Sequence, residues 1–132
     1  MVSLTVEVSR ELASLLATAE PEIRTLALET REFVNRIVPG ADEMIDSKAR
    51  LIGYGYGPGY ADTICVIMLT KKAVNLGIAR AVGLPDPHGL LEGTGKRHRH
   101  VKLRRSSDLR KPGLRVLLKS AVKAWKAGRQ GG

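Results

Sequence analysis

The sequence contains a single cysteine, Cys65, and few aromatic residues, 4% of the chain. One cysteine excludes an intrachain disulfide, and with it the class of small secreted domains that disulfides hold together. The scarcity of aromatic rings requires a core built mainly from aliphatic side chains. The longest apolar run, Ile64 to Leu69, is too short to cross a bilayer. Since the N-terminal stretch also lacks the basic and apolar regions of a signal peptide, we predict a cytoplasmic protein with no membrane partner.

Acidic residues are scarce in the second half of the chain. Residues 1–66 carry a balance of −4 and residues 67–132 a balance of +13, which gives the net charge of +9. A split of this size indicates a face that meets an anionic partner, and the alternative is a basic surface that only keeps the protein in solution. The length of 132 residues predicts one domain spanning 1–132, as a monomer or a homodimer.

Apolar side chains recur at helical spacing in three segments. The first follows Ser9, a residue type that commonly caps helices, and extends to Ala19. The second begins at Pro21, whose missing N–H costs nothing in a first turn, and ends at the Pro39-Gly40 pair. The third begins at Pro112. We therefore predict two N-terminal helices and one C-terminal helix.

Between these helices the apolar pattern changes to that of strands. Residues 50–57 are rich in glycine, isoleucine and tyrosine, which predicts a first strand. Residues 62–70 are apolar at both odd and even positions, which predicts a central strand covered on both faces. A tight turn at Lys71-Lys72 leads to a partner strand over 73–79, and the alternation around Val101 predicts a last strand with a basic outer face. The order of elements predicts an α+β domain with helices packed on an antiparallel sheet.

The densest chemistry lies at residues 93–100, GTGKRHRH, which we call the basic loop. Glycines allow backbone N–H groups to converge on an anion, and the neighbouring cations add positive charge. We predict that this loop receives a small phosphate-like anion or an acidic protein surface, the alternative being a turn that only leads into a charged strand. The predicted anion-binding residues are Gly93, Gly95, Lys96, Arg97, His98, Arg99 and His100.

A P-loop nucleotidase is excluded, although Gly-Lys occurs in the basic loop. Leu90 stands where that motif needs its first glycine, and Arg97 stands where a serine or threonine would hold magnesium. The loop also leads into a strand pattern, so no helix N-terminus faces a bound phosphate.

Three histidines raise the question of a metal site. His98 and His100 would point the same way on a strand, and His88 could join them across the preceding loop. The adjacent arginines and lysines would repel a cation, so a basic surface strand is favoured and no metal site is predicted.

No catalytic residue is predicted either. Cys65 lies in the most apolar segment, where a thiol is usually buried and inert. Tyr54, Tyr56 and His88 form a candidate pocket, with core packing as the alternative for the two tyrosines. We predict a non-enzymatic binding domain without a cofactor, and an acid–base enzyme that uses Tyr54 or His100 is the residual alternative.

A further basic surface is predicted on the last helix and the strand before it. The helix stripe consists of Arg115, Lys119, Lys123 and Lys126, and the strand contributes Lys102, Arg104 and Arg105. No helix-turn-helix spacing and no aromatic residues among the basic ones are present. We therefore predict only weak, sequence-independent nucleic-acid binding at low salt.

The stretch GLPDPHGLLEGTGKRHRHVKL, with the earlier YGYGPGYADTICVIML, resembles the YdhG-like family of small bacterial proteins, a domain of unknown function. The resemblance extends over residues 20–125 and implies a curved antiparallel sheet of four to five strands with flanking helices. The positions that match are Asp86, Pro87, Gly89, Leu90, Leu91, Gly93, Gly95, Arg99, His100 and Leu103.

Some members of that family carry the label of frataxin-like iron chaperones, so the resemblance implies metal delivery as an alternative function. Such proteins use clustered acidic side chains, which suit iron as hard oxygen ligands. The plausible acidic set consists of Glu20, Glu22, Glu29, Glu32, Asp42, Glu43 and Asp46. The alternative predicts iron binding that disappears when Glu29, Glu32, Asp42 and Glu43 are neutralised. Arginines between the acidic residues of the second helix weaken this implication.

Overall fold

A computed structural model describes residues 9–57 and 62–131 of the chain, and the α+β architecture is confirmed. The helices are α1, Arg10–Ala17; α2, Pro21–Ile37; a 3₁₀ turn, Ser106–Arg110; and α3, Leu114–Gly131. The strands are β1, Asp42–Asp46; β2, Leu51–Gly55; β3, Thr63–Leu69; β4, Val74–Ile78; and β5, Arg99–Leu103.

The helices begin where their capping signals stand in the sequence. Ser9 accepts a hydrogen bond from the Leu12 N–H at 3.2 Å, which satisfies one of the unpaired donors of the first turn of α1. Pro21 occupies the first turn of α2. The one polar residue buried on α2, Thr30, donates its hydroxyl to the Leu26 carbonyl at 2.7 Å, so its burial leaves no unpaired group.

The five strands form one antiparallel sheet in the order β1-β2-β3-β4-β5. Each strand pairs with its neighbour in sequence, and β3 lies at the centre. The turn at Lys71-Lys72 is closed by a hydrogen bond from the Thr70 N–H to the Ala73 carbonyl at 2.9 Å. Strand β1, with the sequence DEMID, is the element that the apolar pattern missed, because three of its five side chains are acidic.

The two faces of the sheet differ. One face packs against the helices through a fully buried row that includes Ile52, Ile67, Leu76 and Val101. The opposite face, called the open face below, carries the row Met44, Gly53, Val66, Gly77 and His100, whose members pair across the five strands.

The prediction that β3 is covered on both faces is wrong. Met68 of β3 and Met44 of β1 are 38% and 36% exposed on the open face. Strand β3 is apolar at both parities, although the helices cover only the parity that contains Ile67 and Leu69.

Candidate anion site

The basic loop is a hairpin that leads into β5. The Glu92 N–H donates to the His100 carbonyl at 2.7 Å, and the His100 N–H donates back to the Glu92 carbonyl at 3.1 Å. Gly93 has a φ of 111°, in the region that favours glycine, and a Cβ at Gly95 would lie 2.5 Å from the His98 carbonyl oxygen. Both glycines are therefore needed for the loop conformation itself.

The exposed donors of the loop from Gly93 to His98 have no partner in the part of the chain that the structure describes. Among residues 9–57 and 62–131, no backbone N–H from Gly93 to His98 donates a hydrogen bond, and neither Lys96 nor Arg97 forms a salt bridge. Both cationic side chains are exposed. An incoming anion would thus meet available N–H groups and two exposed positive charges without first breaking a contact among the described residues.

Two hydrogen bonds hold the loop against the segment that follows β4. The Val82 N–H donates to the Arg97 carbonyl at 3.1 Å, and the Arg80 N–H donates to Nδ1 of His98 at 3.0 Å. Because Nδ1 of His98 is the acceptor, Nε2 is the ring nitrogen left to donate. Sequence reasoning missed Arg80, since it is 18 positions from His98 and no local pattern marks its left-handed φ of 55°.

Arg99 and His100 are placed differently from the exposed cations. Nε of Arg99 donates to the Gly95 carbonyl at 2.7 Å, which folds this side chain back over the loop. The His100 ring lies against Gly93. A Cβ added at Gly93 would be 3.4 Å from Nδ1 of this ring. The structure therefore brings the predicted anion residues together, with Lys96, Arg97 and His98 on the outside and His100 beneath.

A shallow hollow of about 240 Å³ adjoins the basic loop on the sheet. Val66, Gly77 and Ala79 contribute to its largely apolar floor, together with Thr63 of β3. His98 and Arg99 belong both to the loop and to the rim of this hollow. We call it the sheet hollow. No sequence pattern predicts the sheet hollow, because its residues come from three strands that meet only in the folded sheet.

The candidate pocket residues Tyr54, Tyr56 and His88 do not converge. The Tyr56 hydroxyl donates to the Pro39 carbonyl at 2.8 Å, and its ring packs at a tilt of 45° against Trp125, with centroids 5.0 Å apart. His88 lies against Gly113, where an added Cβ would be 2.5 Å from its ring. These contacts correspond to packing at separate places rather than to one pocket.

Tyr54 belongs to a network on the helix side of the sheet. Its hydroxyl donates to Oε2 of Glu43 at 2.5 Å, and Arg31 binds the same carboxylate through Nε and Nη2 at 2.8 and 2.9 Å. Burial raises the pKa of Glu43, but the hydrogen bonds from Arg31 and Tyr54 outweigh it, so the net pKa is lowered. Burial and the adjacent carboxylate raise the pKa of Tyr54, so this phenol is a poor acid or base at neutral pH.

The single thiol is buried, as the sequence predicted. Cys65 is 1% exposed, and burial raises the pKa of its thiol to about 12. The nucleophilic thiolate is therefore scarce at neutral pH.

Three of the four acidic residues whose neutralisation would test metal delivery are engaged with other side chains. Glu43 binds Arg31, Glu32 lies 3.4 Å from Arg36, and Glu29 accepts a hydrogen bond from Ser106. Within the described part of the chain, no group of three or more His, Cys, Asp or Glu side chains is arranged to hold a metal ion.

The Asp-Pro-His-Gly-Leu-Leu stretch before the basic loop has a structural use. The two carboxylate oxygens of Asp86 accept hydrogen bonds from the N–H groups of Leu90 and Leu91, both at 2.9 Å. Leu90 and Leu91 pack against the core. This segment thus fixes the chain just before Glu92, where the hairpin of the basic loop begins.

The basic residues proposed to contact nucleic acid lie on different sides of the sheet. Arg115, Lys119, Lys123 and Lys126 are exposed on α3, which packs on the helix side. Lys102 pairs with Asn75, which pairs with Met68, so it belongs to the open face. Lys102 and the stripe on α3 therefore do not share a face.

We therefore expect duplex DNA to bind weakly at low salt and to be released at physiological salt, about 0.15 M. Few phosphates can be contacted at once from the α3 stripe, and the log–log salt slope is near −0.9 for each one neutralised. Fluorescence anisotropy of a labelled duplex across a salt series measures this. Sub-micromolar binding at the upper salt concentration would contradict the expectation.

No helix among the described residues is long and apolar enough to span a bilayer. Comparison with protein-family models, with curated proteins and with solved structures gives no match to this chain. The function is therefore inferred from the site itself.

Proposed function

We propose that this protein is a non-enzymatic binding domain whose basic loop receives a phosphate-like anion. The observation that carries the proposal is a run of backbone N–H groups from Gly93 to His98, beside the side chains of Lys96 and Arg97. None of these groups has a hydrogen-bond or salt-bridge partner among residues 9–57 and 62–131. A phosphate group offers several acceptor oxygens and a negative charge, which match this set of donors.

The loop geometry gives this proposal a structural basis beyond net charge. The hydrogen bonds from Arg80 and Val82 anchor the loop to the segment after β4, so part of the ordering cost of binding is already met before the anion arrives. Metal delivery, the alternative, has no comparable cluster in the part of the chain that the structure describes.

Replacing Lys96 and Arg97 together by alanine is expected to weaken the binding of inorganic phosphate and pyrophosphate at least tenfold. Each charge-assisted hydrogen bond contributes roughly 1.5–3 kcal/mol, and the solvent exposure of both side chains reduces this contribution. Isothermal titration of the wild-type and variant proteins measures the change.

A matched control removes the same charge elsewhere. Lys71 and Lys72 are exposed neighbours in the β3–β4 turn, at the opposite end of these strands from the basic loop. Replacing both by alanine should leave phosphate affinity within twofold of wild type. If both double variants weaken phosphate binding equally, the loss reflects net charge alone and the proposal is overturned. Unchanged affinity in Lys96→Ala/Arg97→Ala would also overturn it.

A further inference from the structure

We infer that the anion received by the basic loop carries an apolar substituent, which the sheet hollow accommodates. The inference rests on the proposed function and adds a ligand class to it, namely a phosphate monoester of a small aryl or alkyl group. It depends on the position of the hollow, which shares His98 and Arg99 with the basic loop.

The chemistry of the hollow changes over a short distance. Its rim is basic, because His98 and Arg99 lie there, and its floor contains Val66, Gly77 and Ala79. A ligand with one anionic end and one apolar end satisfies both parts, whereas a free inorganic anion leaves the apolar floor in contact with water.

Gly77 leaves the space of the sheet hollow open, because it has no side chain. A Cβ at Gly77 would lie 2.9 Å from Cγ2 of Val66, so any side chain there would displace the valine or fill the depression. The hollow measures about 240 Å³ and is open to solvent on one side. A single aryl ring or a short alkyl chain can therefore lie on its apolar floor while the phosphate reaches the basic rim.

Phenyl phosphate is expected to bind the wild-type protein at least tenfold more tightly than inorganic phosphate. Burying the equivalent of two methylene groups accounts for a change of this size. Titration calorimetry with the two compounds measures the ratio. Vesicles that contain phosphatidic acid form a second arm, and tighter binding to them than to phenyl phosphate would overturn the assignment to a small soluble ligand.

Val66→Thr tests the floor of the hollow directly. Threonine has nearly the same shape as valine and also favours strands, so the partly buried site on β3 should keep its structure. The preference for phenyl phosphate over phosphate is expected to fall about fourfold, since one buried methyl group is lost. Affinity for inorganic phosphate should not change.

Met68→Gln is the matched control. Met68 lies on the same open face, two residues along β3, and is not among the residues that line the hollow. Its replacement should leave both affinities unchanged, and circular dichroism of both variants checks that they fold.

The outcomes separate the two proposals. If phosphate and phenyl phosphate bind equally, or if Val66→Thr leaves their ratio unchanged, the ligand class is overturned and the anion-binding function stands. If neither compound binds, the proposed function itself is overturned.

Discussion

Replacing Leu76 by alanine is expected to lower the free energy of unfolding by about 3–4 kcal/mol. Leu76 is fully buried on β4, where its partners across the sheet are Ile67 and Val101, and both are also buried. A leucine in such a place loses both the transfer free energy of its side chain and the contacts around the cavity left behind. Urea unfolding of the two proteins measures the difference.

Val116→Ala provides the control for this substitution. Val116 lies on α3 and is 63% exposed, so its truncation removes little buried surface. Its effect should stay within about 0.5 kcal/mol of zero. A loss below about 1 kcal/mol for Leu76→Ala would contradict the placement of β4 over the helices.

Glu43→Gln is expected to lower the free energy of unfolding by about 2–3 kcal/mol. The substitution leaves the Arg31 guanidinium without its counter-charge, and the two side chains are only 20% and 22% exposed. Removing one partner of a largely buried pair costs more than the pair itself contributes, because the remaining charge is not resolvated. Urea unfolding at neutral pH measures the loss.

Glu32→Gln is the corresponding control, because Glu32 and Arg36 form an ion pair in solvent. Their side chains are 67% and 74% exposed, and the closest N–O distance is 3.4 Å. Such pairs contribute roughly 0–1 kcal/mol, so the change should be small. Equal losses for Glu43→Gln and Glu32→Gln would contradict the network around Tyr54.

The same network has a definite dependence on pH. The pKa of Glu43 is lowered in the folded protein, so its carboxylate contributes stability above the ordinary value of 4.5, and this stability is lost as pH falls through the folded pKa. The stability gap between wild type and Glu43→Gln should therefore narrow on acidification. Burial raises the pKa of Asp108, but the N–H groups of Arg104 and Arg105 and the charge of Lys111 outweigh it, so the net pKa is lowered. Both proteins should therefore still lose some stability in acid.

Much of the fold follows from periodicity in the sequence. The buried residues of helix α2 recur every 3.6 positions and those of strand β4 every second position. The predicted boundaries of both elements therefore lie within a few residues of the observed ones. The open face could not be predicted in the same way. Val66 and Met68 are as apolar as the buried parity of β3, and only the assembled sheet shows which parity the helices cover.

The candidate site was partly accessible from the sequence. The basic loop was visible because its glycines and cations are contiguous. The Arg80–His98 hydrogen bond and the sheet hollow were not, because they join residues from separate segments. The network of Glu43 was also hidden, since Arg31 lies 12 positions away on another element.

The most direct test of the anion site is an NMR titration of the ¹⁵N-labelled protein with inorganic phosphate. The donors in question are backbone amides, so their own resonances report on the contact. We predict saturable shifts concentrated at the N–H groups of Gly93 to His98, with Lys71 and Lys72 unaffected. Shifts that are absent from the basic loop, or that are spread evenly over exposed basic residues such as those of α3, would contradict the account.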